Sequence, residues 1–253
     1  MIKNIHKALV GNPLTRRLQR GIVCGLKSSL GVPDPYSDLA RIVRQNKPDA
    51  ILDIGSHVGK TISRLLETSS VPIHGFEPTL KTFQKLTERF HGDPNVGLHK
   101  LALSNANGEA EFHCNANEQT NSLLDNGVGN NESLPHITQH VQTESVDTMR
   151  LDDWMAANIP TGKVVIKCDV QGAEGLLIEG GENSLRDQTI AFYSEAQIAP
   201  MYEGQADFCE LHKRLTEKLG FVLHNIYPCF HDQQGRALQT DALWINTRFM
   251  ESS

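Results

Sequence analysis

The chain has 253 residues, 39% of them hydrophobic and 21% charged, with a formal net charge of −6. These proportions exclude collagen, whole-chain disorder and coiled coil. No stretch reaches the roughly 18–20 apolar residues of a membrane span, no apolar signal-peptide core follows the N-terminal lysines, and five scattered cysteines without a C-x-x-C pair exclude a disulfide framework or a structural zinc site. The composition predicts a soluble protein of a reducing cytoplasm.

Charge is unevenly placed. Residues 1–30 carry six basic side chains (Lys3, Lys7, Arg16, Arg17, Arg20 and Lys27) and no acid, while the rest holds 18 of the 24 Lys and Arg against all 30 Asp and Glu. A body so acidic lacks the cations that displace phosphate counterions, so no nucleic-acid face is expected. Residues 1–35 read as a basic helical extension, packed through Ile2, Ile5, Leu9 and Val10. Its sharper readings are a lid over an anionic substrate or a weak hold on an acidic membrane surface. The breaker cluster at 31–35 separates it from a body spanning 36–253.

Along the body, strands and helices alternate. Residues 37–45 predict a helix with Leu39, Ile42 and Val43 on one face, and 50–54 a short apolar strand ending at Gly55. A helix over 58–66, a strand over 71–76 and a helix over 78–90 follow, the last with Leu80, Phe83 and Leu86 facing in. Residues 96–103 read as a third strand, and Asn107-Gly108 as a turn into the alternating run 109–114. Residues 115–140 are polar, rich in Asn and Gly, and show no convincing element; a loop this long is functional or disordered. Then come a strand over 141–147, a helix over 151–157, a core strand over 164–168, a helix over 174–179, a strand over 190–193, an amphipathic helix over 207–219 closed by Gly220, and strands over 221–226 and 242–246. This order predicts an α/β doubly wound, Rossmann-like fold with a mainly parallel sheet and right-handed crossovers. Such sheets bind ligands beyond the C-terminal ends of their strands.

The strongest motif is Asp53-Ile54-Gly55-Ser56-His57-Val58-Gly59, between the first strand and the first helix. Gly55 permits a tight turn and Gly59 a close backbone approach to a ligand. Glu77, at the tip of the second strand and followed by Pro78, can accept hydrogen bonds from both hydroxyls of an adenosine ribose. A dinucleotide pyrophosphate favours three glycines and a bare helix N-terminus. This turn has two glycines and opens with an acid, which suits S-adenosylmethionine, with its amino group, its sulfonium and no phosphate. An NAD-type oxidoreductase is the disfavoured alternative.

From about residue 49 to 247 the sequence resembles the FkbM-type family of S-adenosylmethionine-dependent methyltransferases. The resemblance rests on D-I-G-S-H-V-G, F-E-P, A-L-S-N-x-x-G, S-V-D-T-M-x-L-D-D-W and V-I-K-C-D-V-Q-G-A-E-G-L-L-I-E-G, with S-E in the next strand. It implies a class I methyltransferase fold, a seven-stranded sheet with an antiparallel last strand, and methylation of a hydroxyl on a carbohydrate or secondary metabolite. It also implies that Ser122 lies near the methionine end of the cofactor and Ser104 near the adenine. The family motif K-x-D-x-E-G-x-E is kept in Lys167, Asp169, Gly172 and Glu174, but Gln171 stands where an acid is common.

Methyl transfer from a sulfonium requires alignment and a base for the hydroxyl. Asp169, ending the fourth core strand, is the first candidate for that base and also a cofactor contact; Glu195 is the second. Together they could instead hold a divalent cation, a less favoured option, and no metal ligands are assigned. His57 is read as a contact to cofactor or substrate, and His113, His136 and His140 flank the polar loop with no spacing that selects one. Trp154 and Cys168 read as packing residues. The expected partner is a small molecule or glycan. A non-catalytic S-adenosylmethionine-binding protein, with Gln171 marking a decayed site, is the rival reading.

Overall fold

The computed structural model describes residues 34–250. The basic segment read as an extension or lid lies outside the described residues, except for its end at Asp34 and Pro35. Helix α1 (Pro35–Asn46) opens with Asp34 as its cap, the carboxylate accepting the Ser37 backbone N–H, and it buries the Leu39, Ile42 and Val43 face. Strand β1 (Ala50–Ile54) is buried along its whole length, as expected for an apolar strand covered on both faces. It is followed by α2 (Lys60–Leu66), β2 (Ile73–Phe76), α3 (Leu80–Arg89) and β3 (Val96–His99).

Beyond these lie β4 (Ala102–Ser104), β5 (Gly108–Asn115), α4 (Val128–Ser133), β6 (His140–Arg150), α5 (Leu151–Asn158), β7 (Val164–Cys168), α6 (Glu174–Gly180), α7 (Glu182–Gln188) and β8 (Thr189–Gln197). Helix α8 (Phe208–Lys213) continues into a π-helical turn, and β9 (Phe221–Ile226), β10 (Phe230–His231) and β11 (Ala237–Asn246) complete the chain.

The main sheet runs β3-β2-β1-β7-β8-β11, with β9 and β10 sharing the outer edge of β11. Its inner strands are parallel, and β11, the last strand in sequence, is antiparallel to β8. The two-residue β10 is an addition to the expected seven. Successive residues of β1 enter opposite layers. Leu52 and Ile54 join Trp154, Leu177, Leu211 and Trp244 under α5, α6 and α8, while Ile51 joins Leu39, Ile62 and Leu86 under α1, α2 and α3. Strand order reverses between β1 and β7, and the cleft of such folds opens at that point.

Three local expectations are corrected. The strand read over 96–103 is two strands: β3 pairs only with β2, and after Lys100 and Leu101 the chain leaves for a second sheet of order β4-β6-β5. Leu80 does not face the core; it is 56% exposed, whereas Thr82 and Leu86 are buried. Leu80 precedes Thr82 by two residues, about 200° around the helix, and so lies on the opposite face. The polar stretch 115–140 is not structureless. Asn126 donates from Nδ2 to Asn115 Oδ1 (2.9 Å) and the Thr138 carbonyl (2.8 Å), and Asn130 donates to Asn126 Oδ1 (3.0 Å). Asn115, Asn130 and Thr138 are buried, so side-chain amides take over the role of an apolar core. No helix among the described residues is long and apolar enough to cross a membrane.

Candidate active site

A cleft opens over the C-terminal ends of β1, β2 and β7. Gly55 and His57 form one side, Glu77 and Pro78 another, and Asp169, Val170 and Gln171 the third. Phe76, Leu101, Leu103, Phe112 and Leu123 supply an apolar wall.

Two contacts draw the tips of β1 and β7 together. The Asp169 backbone N–H donates to the Ile54 carbonyl at 3.0 Å. Lys167, opposite Asp53 in the strand register, donates from Nζ to the Gly55 carbonyl at 3.2 Å. Its ammonium also lies 3.2 Å from Asp53 Oδ1 and 3.6 Å from Asp169 Oδ2. The Asp53 contact is an ion pair with poor hydrogen-bond alignment, and no donor reaches either Asp53 oxygen among the described residues. Burial opposes the charge on Lys167, but the Asp53 and Asp169 carboxylates outweigh it and hold the proton more tightly than usual.

Glu77 is nearly buried. Its Oε1 accepts the Thr79 hydroxyl (2.6 Å) and backbone N–H (3.1 Å), and Oε2 accepts the His57 backbone N–H (3.2 Å). A carboxylate offers about four lone-pair positions, so Oε2 keeps one for a ligand hydroxyl. Burial raises the proton affinity of Glu77, and these hydrogen bonds counter it. His57 adopts a left-handed φ of 48°, and its Nε2 is buried without a hydrogen-bond partner. Burial lowers its pKa, with Glu118 opposing, so the 3.8 Å approach of Nε2 to Glu118 involves a neutral ring at neutral pH. Glu118 is itself held at about 2 by Lys81 and Lys85.

Asp169 lines the cleft. Its Oδ1 accepts from Gln171 Nε2 at 2.7 Å, and its side chain is 38% exposed. Glu195 is half-buried and absent from the cleft lining. Its Oε1 accepts from Gln171 (3.0 Å) and Gln197 (2.8 Å), and its Oε2 from Gln239 (2.6 Å). Burial, reinforced by Asp169, Glu174 and Asp241, pushes its pKa well up.

The other sequence candidates stand at the cleft's supports. Asp53 is buried with Lys167. Ser56 Oγ donates to the Asp53 carbonyl at 2.7 Å. Gly59 packs against α3, where a β-carbon would come 2.2 Å from the Phe90 ring. Ser104 is buried where β4 meets α6. Ser122 Oγ donates to the Gln171 carbonyl at 2.7 Å. His113 pairs with Asp125 at 3.0 Å, Trp154 packs edge-on against Phe76, and Cys168 is buried.

Among residues not singled out as ligand contacts, Leu101, Leu103, Phe112, Leu123, Glu118, Gln119 and Asn121 line the cleft. The alternation of 109–114 was the available signal for Phe112. Within 118–123 the family resemblance marks Ser122 alone; Glu118, Gln119, Asn121 and Leu123 reach the cleft through the amide-fixed segment. A second, polar concavity beside the cleft is lined by Asp125, Asn126, Asn131, Gln139 and Glu203.

The cleft's chemistry fits S-adenosylmethionine. The apolar wall could hold a purine face, Glu77 Oε2 could accept from a ribose hydroxyl, and the Asp169 end could face a cationic methionine portion. Glu77, Glu118 and Asp169 line the cleft with no Lys or Arg among its described lining residues, which disfavours a pyrophosphate.

The reversal of strand order at the cleft and the antiparallel β11 define a class I, S-adenosylmethionine-dependent methyltransferase. The Methyltransferase FkbM domain model matches residues 53–223, and the chain belongs to the FkbM methyltransferase family. It is 30% identical over 207 residues to the 2-O-methyltransferase NoeI of Sinorhizobium fredii, covering 75% of this chain and 84% of the relative. Among solved structures, it is similar to an rRNA methylase from Streptococcus thermophilus (TM-score 0.44, 11% identity, 85% of this chain and 98% of that one). It is also similar to Aeropyrum pernix fibrillarin in complex with S-adenosyl-L-methionine (TM-score 0.41, 12% identity, 78% of this chain and 66% of that one).

Proposed function

We propose that this enzyme transfers the methyl group of S-adenosylmethionine to a hydroxyl of a carbohydrate or secondary metabolite. The observation that carries the reading is the placement of Asp169, an acid at the tip of β7 that lines the same cleft as Glu77. Similarity to a 2-O-methyltransferase supports oxygen as the acceptor atom. The amide-rich concavity beside the cleft offers hydrogen bonds of the kind that sugar hydroxyls use.

The bound cofactor supplies an activated methyl group. The protein aligns the acceptor and receives its proton. Glu77 anchors the ribose, the apolar wall holds the adenine, and Asp169 accepts the hydroxyl proton through Oδ2, since Oδ1 is engaged by Gln171. Lys167 Nζ lies 3.6 Å from that oxygen. The acidic body supports an acceptor other than nucleic acid, and the unpaired cysteines Cys114, Cys168, Cys209 and Cys229 support a reducing, cytoplasmic setting.

Calorimetric titration with S-adenosylhomocysteine and with NAD, followed by methyl-transfer assays on a glycan and metabolite panel, tests the reading. Micromolar binding of the first alone, together with turnover, is expected. Tight NAD binding, or binding without turnover on any hydroxyl acceptor, would overturn it.

A further inference from the structure

The divalent-cation option for Asp169 and Glu195 does not fit the residues present. The space between the two carboxylates is filled by an amide nitrogen. Gln171 Nε2 is 2.7 Å from Asp169 Oδ1 and 3.0 Å from Glu195 Oε1. An amide nitrogen only donates, and here it donates to both carboxyl groups. The other end agrees, because the Tyr202 hydroxyl donates to Gln171 Oε1 at 2.8 Å. The main chain is clamped as well. Gln171 adopts a φ of 55°, and Ser122 Oγ donates to its carbonyl at 2.7 Å. A residue with a β-carbon rarely adopts this conformation, and here it is held from both sides. Two partly positive amide hydrogens aimed at the carboxylates repel a metal ion and replace its attraction.

We infer that Gln171 is a positioning residue whose neutral amide bridges Asp169 and Glu195 in place of a cation, and that a carboxylate at position 171 turns the three side chains into a divalent-cation site. Gln and Glu have the same length. The exchange replaces the bridging nitrogen with a third oxygen beside Asp169 Oδ1 and Glu195 Oε1. Converging carboxylate oxygens are the donor set of Mg²⁺, Mn²⁺ and Ca²⁺, and without a cation they repel one another. The consequence for turnover rests on Asp169 being the proton acceptor proposed above; the cation chemistry does not.

The test is a Mn²⁺ titration, by calorimetry and by the paramagnetic resonance signal of free Mn²⁺, of the full chain and three variants: Gln171→Glu, Gln171→Ala, and Gln171→Glu combined with Asp169→Asn. Far-UV circular dichroism reports folding. The wild type and Gln171→Ala are expected to show no saturable site below about 1 mM Mn²⁺, and Gln171→Glu one site at least about tenfold tighter, lost again with Asp169→Asn. Gln171→Glu should melt lower than wild type without Mn²⁺ and recover with it.

Saturable Mn²⁺ binding by the wild type that Asp169→Asn abolishes would overturn the inference. So would a folded Gln171→Glu protein with no site. If Gln171→Glu folds neither with nor without Mn²⁺, the inference is also overturned, because the cation should restore the bridge. Absence of methyl transfer on every acceptor would defeat the functional reading and leave these binding outcomes unchanged.

Discussion

A β-carbon on Gly55 would stand 1.8 Å from the backbone oxygen of Asp169. The turn that ends β1 and the turn that ends β7 are thus in direct contact, and the cleft floor has its shape because position 55 has no side chain. Gly55 also sits at a φ of 78°, in the left-handed region. Gly55→Ala should therefore lower unfolding stability by about 2–4 kcal/mol, combining backbone strain with overpacking. Urea denaturation checks it; an unchanged midpoint would show that the two turns can separate freely.

Glu77 uses one oxygen for Thr79 and shares the other between His57 and the open cleft. Glu77→Ala removes the carboxylate acceptor proposed for the ribose. Affinity for S-adenosylhomocysteine should weaken by about 1–3 kcal/mol, read by calorimetry. Equal affinity would place the ribose elsewhere.

Asp169→Asn keeps the shape of the β7 tip but cannot take a proton. Methyl transfer at saturating cofactor should fall about 10²- to 10⁴-fold. Full turnover by this variant would remove Asp169 from the chemistry.

Glu174 is buried at the start of α6. Its Oε1 accepts the Val170 N–H at 3.0 Å, and its Oε2 has no hydrogen-bond partner among the described residues. Burial raises its pKa from 4.5 to about 7. In that window the folded chain binds more protons than the unfolded one, so this group's contribution to stability falls as pH rises. Above the window its ionisation opposes folding by about 3 kcal/mol. Glu174→Gln should flatten the slope between pH 4.5 and 7 and exceed wild-type stability at pH 8. A wild-type and variant pair with parallel melting profiles across that range would refute the assignment.

The elements were readable where local periodicity controls them. The apolar run of β1, the Leu39, Ile42 and Val43 face of α1 and the acid at the tip of β2 each depend on neighbours a few residues away. Reading Asp53 as facing a ligand illustrates where such reasoning stops. Its place in the motif was visible, but the strand register sets it opposite Lys167, and the pair is buried together. Likewise, 115–140 looked unstructured because its order comes from side-chain amides meeting across 11 or 12 residues, from Asn115 to Asn126 and from Asn126 to Thr138, which no period of 2 or 3.6 reveals.

The amino-acid order alone determined the alternation of strands and helices, the glycine turn at Gly55 and the acids at the tips of β2 and β7, because each follows from a pattern within one strand-to-helix unit. Only tertiary structure decided that Gln171 joins Asp169 to Glu195 and is oriented by Tyr202. Asp169 and Gln171 come from the turn after β7, Glu195 from β8 and Tyr202 from a separate turn, and hydrogen-bond direction is set when these segments pack, not by spacing along the chain.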